Sequence, residues 1–358
     1  MLNNLATEVC IVFAVAVFTN FLVIKWFASS LFNLTVRNDT EAIQASHLKP
    51  VARIGGLSII IALILAAMPV LEISHSWPYY RFLLLSAFPV FFVGFCEDLG
   101  YLASPRARLL AAAISGAIFI SLSGQWLQRT DIVVLDLLMQ WAPIGIGFSL
   151  FLAVGVSHSF NLIDGLNGFA GFVALGTAIS LAVLSHNIGL DAHRDALIVL
   201  ISAIAGFLIF NFPFGKIFLG DAGAYLMGHI LVWIAISILC ETPDITPFAV
   251  LLIFFWPVAD TLLAIARRIY FKVPISDPDR LHFHQVVLLG VEFIALGGNR
   301  RHIANPLATT LMLPLTFAPM VVGVLFASKD SAAIIALFCF VILFLFTYKI
   351  CMRALPKL

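Results

Sequence analysis

Asn161, Asp164 and Asn167 follow one another at intervals of three, so on a helix or a near-helical turn their side chains form one polar row. Gly165 and Gly168 interrupt that row, and glycine lets a backbone turn sharply or approach a ligand closely. Three oxygen-bearing side chains beside such backbone suit a cation or a nucleotide. The same residues would equally serve as caps of helix N-termini. Asp221 follows Gly220 and opens a stretch studded with Ala222, Gly223, Ala224 and Gly228. Small residues in an apolar helix mark close helix packing, and an Asp at such a start is a natural cap. Glu97 and Asp98 are adjacent carboxylates at the edge of an apolar stretch. A charge buried at a membrane centre costs roughly 2.5–3.5 kcal/mol, and less toward the boundary. Such a pair calls for a cation, and either Arg106 and Arg108 or a bound metal ion would supply it.

Further along, PDRLHFHQ brings Arg280, His282 and His284 together, with Asp277 and Asp279 at its head. A His-x-His pair suggests zinc, but no HExxH and no third nearby His or Cys accompanies it. Arg280 suits a phosphate oxygen better. Asp260, inside WPVADTLLAIARR, is expected to pair with Arg267 or Arg268 along its helix. Cys10, Cys96, Cys240, Cys339 and Cys351 lie far apart and form no Cys-x-x-Cys, which implies neither zinc nor a disulfide framework.

The elements that position these residues follow from composition. Of 358 residues, 62% are hydrophobic and 11% charged, far from the ~25% charged of an ordinary soluble domain. At ~20 apolar residues per crossing the expected fold is all-α, a polytopic membrane protein of about eleven transmembrane helices. Disorder, coiled coil and collagen are excluded, and a net charge of +1 gives no basic groove for nucleic acid. Apolar stretches lie at about 8–27, 54–71, 79–96, 107–123, 138–157, 169–187, 196–212, 222–240, 247–266, 307–327 and 332–350. MLNNLATE carries no cation before the first of them, so that stretch is expected to be an uncleaved helix. With the N-terminus outside, only Arg81, Arg129, Arg194 and Lys329 of the 20 Lys and Arg lie on the outer side. That asymmetry predicts a periplasmic N-terminus and a cytoplasmic C-terminus. No repeat stands out, and residues 1–358 read as one integral-membrane domain. Its active site is assembled from the inner loops 28–53, 97–108, 157–168, 211–221 and 267–305.

Six strings in order carry a resemblance: RIGGLSI at 53, GFCEDLG at 94, NLIDGLNGFAG at 161, FNFPFGKIFLGDAGAYLMG at 210, PVADT at 257 and PDRLHFH at 278. Together they resemble the bacterial polyprenyl-phosphate N-acetylhexosamine-1-phosphate transferases, the superfamily that includes the phospho-MurNAc-pentapeptide translocase. The resemblance implies that undecaprenyl phosphate attacks the β-phosphorus of a UDP-N-acetylhexosamine at the cytoplasmic face of the inner membrane. The products are UMP and a lipid-linked sugar that starts a surface glycan such as O-antigen. GlcNAc is the first expectation for the sugar, with GalNAc and 6-deoxy sugars such as FucNAc also open, as is a homodimer. Phosphoryl transfer of this kind rests on positioning and charge neutralisation, and it suits Mg²⁺, with Mn²⁺ as a substitute.

By the same resemblance Asp221 and Asn161 are metal ligands, while Asp164 and Asn167 shape the metal and nucleotide pocket. Asn211 lines the uridine end. Asp98 matches the second acid of the family's Asp-Asp pair, either a base or an organiser of the phosphate site. The latter is favoured, because a phosphate monoester with a second pKa near ~6 is already ionised at neutral pH. Arg280, His282 and His284 grip diphosphate and sugar, with Arg53, Arg106, Arg108 and Lys216 as further cations. Asp98, Asp164, Asp221, His282 and His284 thus form the expected catalytic set, and Glu97 stands with the substrate-binding residues. Three departures stand out: Glu97 replaces the first Asp, which argues against it as a metal ligand, while His158 in place of an Asn and Gln285 in place of a further His touch sugar and nucleotide contacts. The PDRLHFHQ pattern is closer to the O-antigen-priming branch than to the translocase. A secondary transporter or a lipid-diphosphate hydrolase are the competing readings.

Overall fold

A computed structural model describes residues 2–27, 51–68, 77–101, 104–274, 281–298 and 300–355, and every element in it is helical. In order these are α1 (Leu2–Phe27), α2 (Gly56–Ala66), α3 (Trp77–Asp98), α4 (Pro105–Ser123), α5 (Val133–Met139), α6 (Ala142–Leu162) and α7 (Phe169–Asn187). They continue with α8 (Asp191–Asn211), α9 (Gly220–Glu241), α10 (Pro247–Ile253), α11 (Phe255–Phe271) and α12 (Phe283–Gly290). A π-helical turn (Val291–Ala295) leads to α13 (Arg301–Leu325) and α14 (Asp330–Ala354).

Helices dominate because a backbone crossing hydrocarbon must satisfy its own hydrogen bonds. Nine of the described helices are long and apolar enough to span a membrane, and the bent pair α10–α11 would make a tenth. The protein is therefore a multi-pass membrane protein. Two of the expected stretches differ from plain spans. Among the described residues 54–71 forms only the 11-residue α2, shorter than the ~30 Å hydrocarbon core requires. The stretch at 247–266 breaks at Phe254, where α10 and α11 meet at 82°.

Helix α9 is the axis of the bundle. Its apolar residues run all the way round, and nearly every side chain from Ala222 to Ile238 is buried, the mark of a helix enclosed by others. Phe119 of α4 stacks on its Trp233 at 4.8 Å, and Gly56 of α2 packs onto Gly223. In the apolar interior His229 of α9 and Ser86 of α3 hydrogen-bond at 2.9 Å, a contact worth about 0.6 kcal/mol between membrane helices. At the periphery α14 exposes Phe338, Ile342 and Phe346, each above 60%. Apolar exposure on that scale belongs against lipid.

The connectivity gathers one set of helix ends. The C-terminal ends of α3, α6 and α8 and the N-terminal ends of α2, α7 and α9 meet through hydrogen bonds at Asp98, Asn161, Gly168, Asn211 and Asp221. Helix α1 runs parallel to α8, with Ala16 against Gly206, so α1 starts at the opposite end of the bundle. Helix α14 finishes at the gathered end, where Tyr348 donates to the Leu281 carbonyl at 2.9 Å.

Candidate active site

The gathered end is built from short tertiary tethers. Residues 52–56 run alongside 218–219: Phe218 N–H donates to Ala52 O, Gly55 N–H to Phe218 O and Gly56 N–H to Leu219 O, each at 2.8 Å. This places Arg53 3.9 Å from Asp221. Between them lies Gly220 with φ +77°, where a Cβ would collide with the Arg53 carbonyl and the Asp98 carboxylate. Glycine is required there for both conformation and space.

Asp98, the last residue of α3 and 4% exposed, accepts Asp221 N–H at 2.8 Å on one oxygen and Ala222 N–H at 3.0 Å on the other. It is a helix cap supplied by a different helix, satisfying amides that α9 cannot bond internally. Asp221 itself accepts Asn161 Nδ2–H at 2.7 Å. Asp164, half-buried just beyond α6, faces the same spot. Burial pushes its carboxyl up to about 7, reinforced by Asp221 and opposed by Arg53 and by a hydrogen bond from the Gly220 backbone.

Among the described residues three carboxylates thus gather beside Arg53, with Arg108 on the Glu97 side, and that excess of negative charge suits a cation. Among the described residues no three His, Cys, Asp or Glu side chains surround a common metal position. What converges is Asp164, Asp221 and the Asn161 amide. Few protein oxygens, with water and diphosphate completing the shell, is the donor set of Mg²⁺, so the residues present fit that ion. Asn161 offers its nitrogen to Asp221 in this state, and a half-turn of the amide would present its oxygen.

The remaining expected residues fall into three groups. Glu97 and Arg108 form an ion pair at 3.3 Å, beside the Asp98 cap. Asn167 and Asn211 are braces. Asn167 donates from Nδ2 to Pro213 O at 2.8 Å, and its backbone N–H reaches Asn305 Oδ1 at 2.7 Å. Asn211 accepts Gly168 N–H at 2.6 Å and donates to Ile217 O at 2.7 Å. Both amides are buried and hold the loops that frame Asp164 and Asp221. Arg106 and Lys216 are exposed, Lys216 with its Nζ 5.5 Å from the Phe214 ring centre. Arg280 lies outside the described residues, as do Asp277 and Asp279.

His282 and His284 are buried at 3% and 0% exposure, with their rings stacked 5.8 Å apart. His284 sits against Gly165, where a Cβ would lie 2.5 Å from Nε2. The absent side chain therefore lets the histidine segment reach the Asp164 loop. Of the departures, His158 lies against Val154 O at 2.9 Å through Nδ1, its ring 5.0 Å from that of Tyr225.

The family described as glycosyl transferase family 4 matches residues 80–239, the stretch that holds Asp98, Asn161, Asp164 and Asp221. A probable undecaprenyl-phosphate N-acetylglucosaminyl 1-phosphate transferase of Bacillus subtilis is 29% identical over 243 residues, 66% of each chain. The chain thus spans about two thirds of that relative's length. A decaprenyl-phosphate N-acetylglucosaminephosphotransferase of Mycobacterium tuberculosis is 26% identical over 80% of this chain and 76% of its own. A phospho-N-acetylmuramoyl-pentapeptide-transferase of Staphylococcus carnosus is 26% identical over 67% of this chain and 78% of its own. Over this central stretch the chain is similar to glycosyl transferase family 4, and the relatives support the wider superfamily of polyprenyl-phosphate sugar-1-phosphate transferases.

One site residue departs from the sequence expectation. Asp260 turns away from the arginines of its own helix and toward the histidine segment, lying 3.0 Å from His282 Nδ1 and accepting Phe283 N–H at 2.9 Å. Arg267 instead donates to Leu281 O at 3.1 Å and to the Tyr348 hydroxyl at 2.8 Å. The signal in the sequence was an acid in an apolar run shortly before a His-x-His. Helical spacing offered Arg267 and Arg268 as nearer partners, and the fold overrides that spacing.

Proposed function

We propose that this protein transfers an N-acetylhexosamine 1-phosphate, GlcNAc 1-phosphate first among the candidates, from a UDP-sugar to undecaprenyl phosphate. The reaction runs at the cytoplasmic face of a bacterial plasma membrane and starts a lipid-linked surface glycan such as O-antigen. The observation that carries the reading is the convergence of Asp164, Asp221, Asn161 and Arg53 at the capped start of α9. That spot lies at one end of a membrane bundle, where a lipid phosphate and a soluble nucleotide can both arrive. The names of the relatives, one acting on undecaprenyl phosphate and one on decaprenyl phosphate, support a polyprenyl-phosphate acceptor and an N-acetylglucosamine donor group.

In the mechanism an ionised oxygen of the lipid phosphate attacks the β-phosphorus. The bond from β-phosphorus to the bridging oxygen breaks, and UMP leaves with that electron pair. The acceptor is already ionised at neutral pH, so no side chain needs to take a proton from it. Asp221, Asp164 and Asn161 would hold Mg²⁺, which when bound neutralises diphosphate oxygens and draws charge from the β-phosphorus. Arg53 lies beside Asp221 and is placed to meet a phosphate oxygen. Asp98 keeps α9 in register, so that Asp221 is aimed rather than free to rotate. His282 would serve the nucleotide sugar, and Arg108, paired with Glu97 at 3.3 Å, would add positive charge beside the Asp98 cap. Bringing the two reactants together in line is the larger part of the rate gain in such sites.

The test is transfer itself. Purified membranes receive labelled UDP-GlcNAc, UDP-GalNAc or UDP-FucNAc with undecaprenyl phosphate and Mg²⁺. The expected result is one lipid-linked sugar and equimolar UMP. Chelation should stop turnover, Mg²⁺ should restore it and Mn²⁺ should restore it in part. No lipid product with any donor would overturn the proposal, and lipid-diphosphate cleavage by water in its place would make the protein a hydrolase.

A further inference from the structure

Asp260 takes no part in the reaction as written, yet it is 1% exposed and fully engaged. Its Oδ2 lies 3.0 Å from His282 Nδ1 and 3.8 Å from His284 Nδ1, while Oδ1 accepts the Phe283 backbone N–H at 2.9 Å. A carboxylate in an apolar helix is costly unless paired. Its partners here come from a segment that packs on the Asp164 loop through Gly165.

A hydrogen bond at one imidazole nitrogen decides what the other can do. An ionised Asp260 can only accept, so it favours the proton on Nδ1 and leaves Nε2 as the nitrogen through which His282 can meet a ligand. A proton arriving at Nε2 makes the ring a cation balanced by the acid behind it. That cation donates from Nε2 to an anionic oxygen.

We propose that Asp260 is a positioning residue that acts through His282, fixing the ring so that Nε2 addresses the diphosphate of the nucleotide sugar. The role rests on the transferase reading above. Asp260 contacts no reactant. Its two oxygens set the tautomer of one histidine and the backbone position of the next residue, and the neighbouring contact fixes His284 as a pillar between α11 and Gly165.

Two measurements on the full-length protein in nanodiscs test this. In the first, histidine nitrogens are followed by NMR at mildly alkaline pH, with the His282 signals identified by their loss in His282→Gln. The wild-type ring should carry its proton on Nδ1, and Asp260→Asn should move it toward Nε2. A wild-type ring protonated on Nε2 overturns the proposal, whether or not the protein transfers any sugar. In the second, Asp260→Asn should raise the KM for the nucleotide sugar by about ten- to a hundredfold, leaving the KM for lipid phosphate and the melting temperature unchanged. In the His282→Gln background the same substitution should add nothing. An equal loss in both backgrounds, or a fall in kcat that tracks a fall in melting temperature, would reduce Asp260 to a packing residue. No transfer by the wild type would count against the transferase reading, while the tautomer would still decide whether Asp260 sets the ring.

Discussion

Asp98 and Asp221 are carboxylates at the same helix start, and their surroundings give them different work. Both oxygens of Asp98 are spent on α9 amides, whereas Asp221 is oriented by one amide donor and one arginine. Asp221→Asn should lower turnover by about a hundredfold or more without changing the melting temperature, because in the proposed mechanism it removes a charged metal ligand while the Asn161 contact stays available. Asp98→Ala should cost about 1 kcal/mol of stability through the lost cap and lower activity in step. A general base would instead leave its mark on the pH–rate profile, so an intact fold with a lost alkaline or acid limb in Asp98→Asn would refute the cap. Asp164, raised to about 7, gives a pH test. A carboxyl raised above its ordinary ~4 binds its proton more tightly folded than unfolded, so its ionisation weakens the fold as pH climbs from ~4 to ~7. A divalent ion favours the ionised form, so Mg²⁺ should raise the melting temperature more near pH ~8 than near pH ~6. Asp164→Asn should remove that difference, and equal Mg²⁺ shifts at both values in the wild type would refute the assignment.

At the scale of elements, the turn from Phe218 to Asp221 is the part least tolerant of change. Gly220→Ala places a side chain at φ +77° against Arg53 O and the Asp98 carboxylate. The left-handed backbone alone costs about 1–2 kcal/mol, and the collision adds to it. The variant should give little folded protein by fluorescence-detected size exclusion; a normal monodisperse peak would show that the 52–56 strap can yield. This turn also shows how far the sequence could be read. The polar row Asn161–Asp164 and the glycine before Asp221 were visible because the chemistry of close approach is local. The partnership of Asp98 with α9 was not visible, since spacing along one helix says nothing of which helix lies beside it. The same limit hid Asp260, whose nearest cations in sequence are two arginines and whose partner in space is a histidine. The bend at Phe254 had no signal either: its proline, Pro257, comes three residues after the break.

For the whole molecule, connectivity gathers the candidate site residues at one end of the bundle. Helix α1 starts at the far end and α14 finishes at the near one, so the C-terminus and Lys216 belong to the same side. A reporter fused after Leu358 and a thiol probe on Lys216→Cys should therefore both read cytoplasmic. Opposite readings would overturn the arrangement of α14, and two periplasmic readings would invert the orientation of the molecule. Composition alone was enough to foresee an all-helical membrane bundle, because hydrocarbon leaves a chain so few options. It could not foresee that α2 would be short or that α10 and α11 would be set at 82°.

The blunted start of α9 also bears on how this protein could be inhibited. Glycine-rich phosphate cradles bind anions through exposed backbone amides, but here Asp98 has already claimed the amides of Asp221 and Ala222. A drug-like mimic of bare phosphate would not be rewarded by those two peptide donors. Compounds that chelate, or that carry their own positive group toward Asp164, should outperform isosteres that copy only the shape of the pyrophosphate.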